Sequence, residues 1–194
     1  MKRRIFLMSA GVAIGATGLL AAGCSTTTKS DAPEDRTARR REIDAGADGT
    51  LTRLYSTARG AKELADRAQG ILIFPRVLSG GLVVGGEYGD GVLRSGGRAQ
   101  GYYRVAGGSF GFQIGAQSQA IVLMFLTQEA LDGFRKSNGW TVGADATVSI
   151  ARVGATGEID SNTVKQSIVG FALTNVGLYA GVKLEGSKIT RLDL

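Results

Sequence analysis

Glycine most constrains what this chain can fold into. Thirty of its 194 residues are glycine, about twice the average share of roughly 7%. Several lie inside stretches that otherwise have the β-branched and aromatic composition of strands, namely Gly85, Gly86, Gly111, Gly115 and Gly143. Glycine within a strand marks a bulge, sharp curvature or close backbone approach. The pattern therefore predicts a strongly curved antiparallel sheet or a small barrel-like sandwich.

Short strands are predicted over most of the chain after residue 70. Turns between them are expected at three glycine-rich tripeptides, 89–91, 95–97 and 106–108, because glycine is typical of hairpin turns. Pro75 is expected to end the first strand. The predicted strands are 71–74, 81–88, 91–94, 99–105, 109–117, 120–126, 140–153, 168–173, 179–184 and 188–192.

Two helices accompany these strands. Apolar residues at helical spacing predict an N-terminal helix over 51–69, with Thr50 as its N-cap and Gly70 as its stop. Thr127 is expected to cap a short internal helix over 128–137. The fold class is therefore α+β and β-rich. A transmembrane barrel is a competing interpretation, but it needs strands of about 10 residues with a continuous apolar band, and most of the predicted strands are shorter.

The first 23 residues have the pattern of a bacterial secretory signal. A basic start is followed by an apolar run from Ile5 to Leu20 and by small residues before Cys24. This arrangement resembles a lipobox, in which the cysteine is acylated, for example with palmitate, and becomes the new N-terminus. Cys24 is the predicted lipidation site. An uncleaved anchor helix is the alternative, because the 19 residues of 5–23 approach the ~20 that span a bilayer.

The export route and the destination follow from neighbouring residues. Arg3 and Arg4 are compatible with a twin-arginine signal or with an ordinary Sec signal, and the sequence does not separate the two. Ser25, directly after Cys24, favours the outer membrane, with the protein facing the periplasm. The polar residues that follow predict a lipidated flexible tether over 24–48 and a folded domain over 49–194.

The composition argues against several kinds of function. The chain has no histidine, and Cys24 is its only cysteine, so the commonest zinc ligands and the Ser–His and Cys–His nucleophiles are missing. Once the signal is removed, 20 basic and 17 acidic residues leave a net charge of +3, which is modest for a nucleic-acid-binding protein. We therefore expect no enzymatic activity, no catalytic residues, no cofactor, no metal and no nucleic-acid partner.

Basic side chains are the candidate binding residues. A basic helix face beside a membrane tether is typical of contact with anionic phospholipid headgroups, although Glu63 and Asp66 also allow a solvated face of mixed charge. Arg94, Arg98 and Arg104 form a second possible basic patch, for which a solvated surface is the alternative. The headgroup-binding candidates near the N-terminal helix are Arg39, Arg40, Arg41, Arg53, Arg59, Lys62 and Arg67.

Three other patterns carry no site prediction. Residues 44–55 lack the ligands of a calcium loop at their third and twelfth positions. The glycine-rich stretch 86–91 lacks the Gly-Lys-Ser/Thr ending of a phosphate loop, and a turn is the preferred interpretation. Nothing in the linear spacing of the remaining acidic residues pairs them as catalytic carboxylates; those considered are Glu87, Asp90, Asp132 and Asp145.

An ordered set of motifs resembles the SYLF domain family, in its bacterial lipoprotein branch. The resemblance extends from about residue 51 to residue 194. The motifs are Gly70–Pro75, Gly80–Gly89, Gly91–Leu93, Gly101–Tyr103, Gly108–Gln117, Trp140–Ala146 and Tyr179–Gly186.

This resemblance implies lipid binding. Eukaryotic SYLF proteins associate with phosphoinositide membranes, and some bind actin filaments. For a bacterial envelope protein, the implied property is affinity for anionic, phosphoinositide-like headgroups without catalysis. The alternative hypothesis is a scaffold that contacts another envelope protein and does not recognise lipid headgroups itself.

Overall fold

Four long strands dominate the computed structural model, which describes residues 33–81, 84–110, 116–151, 158–160, 162–178 and 184–194. Five short strands extend the sheet, and three helices and one 3-10 turn (Thr163–Lys165) complete this part of the chain. The helices are α1 (Pro33–Thr57), α2 (Ala61–Arg67) and α3 (Gln128–Lys136). The strands are β1 (Gly70–Gly81), β2 (Val84–Ser95), β3 (Arg98–Phe110), β4 (Ala116–Phe125), β5 (Trp140–Thr141), β6 (Ser149–Ile150), β7 (Ile168–Thr174), β8 (Gly177–Leu178) and β9 (Lys188–Leu192).

The long strands form a Greek key. Their spatial order is β3-β2-β1-β4, so the chain runs through a meander and then places its fourth strand beside the first. The connections from β1 to β2 and from β3 to β4 both lie at one end of this sheet. We call this end the Greek-key end and define it by Leu78–Gly81, Val84–Tyr88, Ala106–Phe110 and Ala116–Gln119.

The short strands widen the sheet on both sides. β9 pairs with β3 and carries β5, while β7 pairs with β4 and carries β6 and β8. All pairs are antiparallel except that of β6 with β7. The sheet is strongly curled but open and forms a half-barrel. This confirms the predicted α+β, β-rich class with an N-terminal helix and one short internal helix.

Apolar side chains cover both faces of the sheet. On one face, α3 buries Leu131 and Phe134 against β-strand residues. The Phe134 ring lies 5.1 Å from that of Phe125 and 5.5 Å from that of Trp140, between ring centroids, a spacing typical of favourable aromatic pairs. On the other face, α1 and α2 pack against β1, β2, β4 and β7. The long strands are therefore held between two hydrophobic layers.

Several predicted turns are wrong, because their glycines serve packing within strands. Gly89 and Gly91 lie inside β2, and residues 106–108 lie inside β3. A Cβ added to Gly91 would lie 2.3 Å from the Ile73 carbonyl oxygen and 2.5 Å from the Phe74 ring. Only glycine permits this approach. The turn predicted at 95–97 is confirmed, with positive φ at Gly96 and Gly97.

Other strand boundaries also differ from the prediction. Pro75 lies within β1 at an irregularity of the register between Phe74 and Val77, where the missing amide donor is tolerated. The strand predicted over 140–153 is broken into β5 and β6 by a turn, in which Gly143 has a φ of 88°. Of the strand predicted over 179–184, residues 179–183 lie outside the described residues.

The N-terminal helix is longer than predicted. α1 begins at Pro33, within the stretch expected to be a flexible tether, and buries Ile43, Ala47 and Leu54. Thr50 is therefore a mid-helix residue whose hydroxyl donates to the Gly46 carbonyl at 2.8 Å. The predicted single helix over 51–69 is divided into α1 and α2 by Gly60, whose φ of 84° is left-handed.

The short internal helix matches its prediction closely. α3 runs from Gln128 to Lys136, and the Thr127 side chain accepts the amide of Ala130 at 3.3 Å. This contact satisfies one of the free amide groups of the first helical turn. The sequence signal was sufficient here because capping is decided by neighbouring residues.

Candidate functional site: a groove between α1 and the sheet

A groove of about 500 Å³ lies between the middle of α1 and strands β1 and β2. Its walls are polar on the helix side and mixed on the sheet side. Its lining residues include Arg39, Glu42 and Arg53 from α1, Arg76 and Leu78 from β1, and Tyr88 and Asp90 from β2. Ile43 and Leu54 hold this face of α1 on the sheet, because both are buried in the apolar layer beneath the helix.

Asp90 joins the helix to two strands at the inner end of this groove. One of its oxygens accepts a hydrogen bond from Arg39 of α1, and the other accepts Nε of Arg104 in β3 at 2.9 Å. The Arg104 guanidinium also lies 4.7 Å from the centre of the Tyr88 ring. The hydrogen bond to Asp90 raises the pKa of Arg39 above its ordinary value. Arg39 therefore stays cationic beside this carboxylate.

Arg53 and Arg76 supply the accessible positive charge of the groove. Both side chains are exposed, and within the described residues neither forms an ion pair. The groove is lined by three arginines, Arg39 among them, and by two carboxylates, Glu42 and Asp90, so its lining carries an excess of one positive charge. Arginine binds phosphate and carboxylate oxygens through a planar set of donors. The groove can accordingly hold an anionic group.

The other predicted basic residues lie elsewhere. Arg40 packs over the Tyr102 ring at 5.7 Å, and Arg41 is exposed on α1. Lys62 is paired with Asp66 at 2.8 Å on the exposed face of α2, as a solvated helix face predicts. The structure therefore brings only Arg39 and Arg53 of the predicted set into the groove.

A second cavity, of about 430 Å³, contains the remaining two candidates. Arg59 and Arg67 line it, but Glu63 and Glu158 line it as well. The two positive charges are matched by two negative ones, so this cavity has no excess of positive charge. It is a weaker candidate for anion binding than the groove beside Arg53.

The second predicted basic patch is mainly structural. Arg94 donates to Asp48 and to the carbonyl and side chain of Asp44, all in α1. Burial lowers the pKa of Arg94, but these acidic partners more than compensate and raise it overall. Tyr102 donates to Asp44 at 2.8 Å. The residues considered above for a calcium loop therefore fix α1 to β2 and β3.

Neither a metal site nor a membrane-spanning helix is found in the described part of the chain. No cluster of three or more cysteine or acidic side chains there is placed to hold a metal ion. None of its helices is both long and apolar enough to cross a bilayer. Cys24 lies outside the described residues.

Comparison with known proteins agrees with the motifs in the sequence. The model of the Ysc84 family, described as "Las17-binding protein actin regulator", matches residues 106–193. The resemblance to the SYLF family is confirmed for these residues. The SYLF match begins within β3 and extends to β9, so it includes β4 and the short strands but leaves out α1, α2, β1, β2 and the first part of β3. The family is one of binding and regulatory domains.

A vertebrate protein gives a second comparison. SH3 domain-containing YSC84-like protein 1 of Xenopus laevis is 30% identical to this chain over 126 residues. The matched region makes up 62% of this chain and 37% of the relative. The chain thus spans little more than a third of the length of that protein.

Arg76, Tyr88 and Asp90 belong to one site that the linear sequence does not indicate. They are distant from α1 in sequence, and the expected turn at 89–91 separated them from any regular strand. The pairs Arg76↔Asp90 and Asp90↔Arg104 of the strand register place three charges in one row. A single continuous strand over 84–95, had it been predicted, would have indicated this row through its period of two.

Proposed function

We propose that this protein is a lipid-anchored bacterial envelope protein whose SYLF-type domain binds anionic phospholipid headgroups in the groove beside α1. The observation that supports this most is the pair of exposed guanidinium groups, Arg53 and Arg76, on opposite walls of one groove. A phosphate between them would replace water by charge-assisted hydrogen bonds, which are the stronger kind. The lipid-binding character of the SYLF family gives the ligand class.

The anchor part of the proposal depends on the N-terminal sequence. Cys24 follows small residues at the end of an apolar run and is the only cysteine. Two or more lipid chains on such a residue would give stable membrane attachment, since each buried methylene contributes roughly 0.8 kcal/mol. Ser25 favours the outer membrane, with the domain in the periplasm. The domain itself then needs only modest headgroup affinity, because the anchor holds it at the surface.

The test is vesicle binding by the chain from Ser25 to Leu194, which contains the whole compact unit of Asp31–Leu194. Vesicles of phosphatidylcholine would be compared with vesicles that also contain phosphatidylglycerol or a phosphoinositide, at low and high salt. We expect co-sedimentation with the anionic vesicles that falls as salt rises. Two arginine contacts at about 1 kcal/mol each predict that the R53Q/R76Q double variant binds roughly tenfold or more weakly.

A matched control separates the groove from net charge. The R59Q/R67Q variant loses the same two charges from the second cavity and should bind nearly as well as the parent chain. Equal losses in both double variants would show diffuse attraction without a headgroup site. No binding at low salt would contradict lipid recognition by the domain and favour the protein-binding scaffold.

A further inference from the structure

Three successive rows of side chains approach the Greek-key end on the face that carries α1. The innermost row is charged and consists of Arg76, Asp90 and Arg104. The next row is apolar and aromatic, with Leu78, Tyr88 and Ala106 in register and Ser118 beside Leu78. The outermost row is almost free of side chains and consists of Gly80, Gly86, Gly108 and Ala116.

The middle row is exposed although it is apolar. Leu78 is 52% exposed and Tyr88 43% exposed, and these two cross-strand partners are among only three large exposed hydrophobic residues in the described chain. The third, Val176, is 98% exposed. It lies just beyond the Ala120↔Leu173 pair of β4 and β7, at the same end of the sheet. The exposed large apolar groups are therefore concentrated at one end of the molecule.

Charge is sparse at this end, where Lys188 of β9, paired with Ala106, is a charged residue in register with the middle row. The sequence has no charged residue from Val105 to Gln128, and Glu87 is the only one between Arg76 and Asp90. Glu87 alternates with Tyr88 and so projects from the opposite face of β2, where it accepts a hydrogen bond from Ser187. Its charge is therefore not on the face of the three rows.

The N-terminus of α1 points in the same direction. Asp48 and Asp44 contact Arg94, whereas the more N-terminal Arg39 contacts Asp90. Towards its first residue, Pro33, the helix thus advances along β2 towards the Greek-key end. Eight residues separate Pro33 from Cys24, and a chain of that length spans at most about 28 Å. An anchored Cys24 would keep this end close to the membrane.

From this arrangement we infer that the Greek-key end enters the lipid surface edgewise, with Leu78 and Tyr88 below the headgroups and the arginine row at the phosphates. The inference rests on the proposed lipid anchoring and headgroup binding, and it adds the depth and orientation of the domain. Two residues along a strand span about 7 Å, which places the middle row within the roughly 5–10 Å depth of interfacial apolar groups. Tyrosine suits this depth, because its ring is apolar and its hydroxyl polar.

A bilayer fits this surface better than a protein does. The gradation from arginine through tyrosine and leucine to bare glycine backbone parallels the gradation from phosphate to acyl chain. The outer row offers few side chains with which a protein could interlock, and hot spots of protein interfaces need such anchors. A lipid surface is fluid and can pack around a sheet edge that has few side chains.

The experiment places an environment-sensitive NBD label at single cysteines in the chain 25–194, which contains no other cysteine. The variants are Leu78→Cys, Ser118→Cys and, at the opposite end of the sheet, Ser95→Cys. Because the chain has no histidine, an N-terminal hexahistidine tag can tether it to nickel-chelating lipid in place of the anchor. Labels at 78 and 118 should shift to the blue and be quenched by shallow doxyl lipids, whereas the label at 95 should not.

A pair of glycine variants then tests insertion of the Greek-key end into lipid without disturbing the core. A Cβ at Gly108 or at Gly133 of α3 meets no atom within 4 Å, so both positions accept a side chain. Gly108→Asp puts a charge into the outer row and should abolish the blue shift of the label at 118, while Gly133→Asp should leave it unchanged.

In the untethered chain, Leu78→Asp should weaken binding to anionic vesicles by about tenfold.

The outcomes distinguish insertion from headgroup binding. A tethered chain whose labels at 78 and 118 stay aqueous overturns the insertion, even if sedimentation shows that Arg53 and Arg76 bind headgroups. Insertion that persists in the R53Q/R76Q variant supports the insertion and counts against the groove. Equal blue shifts of the labels at 78, 118 and 95 also overturn the insertion of the Greek-key end, because they indicate that both ends of the sheet contact lipid equally.

Discussion

Individual carboxylates fix the arginine side chains that lie between α1 and the sheet. Asp90 accepts hydrogen bonds from Arg39 and Arg104 and thereby holds α1, β2 and β3 together. Removing one partner of a partly buried ion pair leaves an uncompensated charge, which costs more than the pair contributes. Asp44 plays a similar part for Arg94 and Tyr102. Among the described residues that line the groove, Arg53 and Arg76 are the exposed arginines that form no ion pair.

Glu87 is a carboxylate in a different environment. Its side chain crosses above Gly107, where an added Cβ would lie 2.8 Å from its Oε1, and it accepts the Ser187 hydroxyl. Burial raises its pKa above the ordinary value of 4.5, and the hydrogen bond from Ser187 only partly offsets this. The folded protein therefore holds a proton on Glu87 more tightly than the unfolded chain does.

This shift predicts a specific dependence of stability on pH. A carboxyl group with a raised pKa in the folded state favours folding most below pH 4.5, and the benefit is lost as pH rises through the folded pKa. Glu87→Gln cannot ionise and can still accept the Ser187 hydroxyl. We expect it to melt at a higher temperature than the parent chain at pH 7 and at a similar temperature near pH 4.

Thermal melts followed by circular dichroism between pH 4 and pH 7 would measure this. Glu185→Gln, in the exposed turn before β9, provides the control and should melt in parallel with the parent chain. A Glu87→Gln variant that is less stable than the parent at pH 7 would show that the ionised carboxylate is favourable where it lies.

At the scale of elements, α1 is the least obvious part of the fold. Its first half is rich in charge, and its buried residues, Ile43 and Ala47, are few. Besides this burial, the pairing of Asp44, Asp48 and Arg39 with residues of β2 and β3 attaches it to the sheet. Such long-range pairs leave no periodic apolar signal, which is why the sequence predicts a tether here.

The remaining elements show where local patterns were sufficient. α3 and the turn at 96–97 are determined by a capping hydroxyl and by glycine with positive φ, and both were predicted. The continuity of β2 and β3 was not, because Gly89 and Gly91 serve contacts with β1 that only the assembled sheet creates. The groove was half predicted: Arg39 and Arg53 came from the helix, while Arg76 required the strand register.

The attachment of α1 predicts that residues 33–48 are necessary for stability. A chain that begins at Gly49 loses the burial of Ile43 and leaves Arg94 and Asp90 without their partners in α1. Together these losses should lower the free energy of unfolding by more than about 3 kcal/mol relative to a chain that begins at Ser25. Urea denaturation of the two chains would measure the difference.

A control keeps this comparison specific. A chain that begins at Asp31 removes only residues before α1 and should unfold at the same urea concentration as the chain from Ser25. If the chain from Gly49 also unfolds at this urea concentration, residues 33–48 contribute nothing to the stability of the domain. They would then serve only as part of the tether, although they are helical.

On the scale of the whole molecule, the proposed anchor and the proposed groove act on the same membrane. Anchoring at Cys24 confines the domain to within about 28 Å of the lipid, so weak headgroup binding becomes effectively intramolecular. Neither contact then needs high affinity. The orientation of α1 with its first residue towards the Greek-key end means that both contacts can form at once.

The two contacts predict different effects in a bacterial cell. Replacing residues 1–24 by an ordinary cleavable secretory signal removes the acylation site, so the protein should move largely from the membrane fraction to the soluble periplasmic fraction, and the fraction that stays bound should be released by high salt. Adding R53Q/R76Q to this unacylated chain should abolish the residual fraction, whereas R53Q/R76Q alone should leave the anchored protein in the membrane. This asymmetry arises because acyl chains dominate the free energy of attachment, while the groove only sets which lipid the domain meets. Fractionation with quantitative immunoblotting would measure it. A parent protein whose mass shows that it still carries residues 1–23 and no acyl chain would show that residues 5–23 anchor the chain as an uncleaved helix.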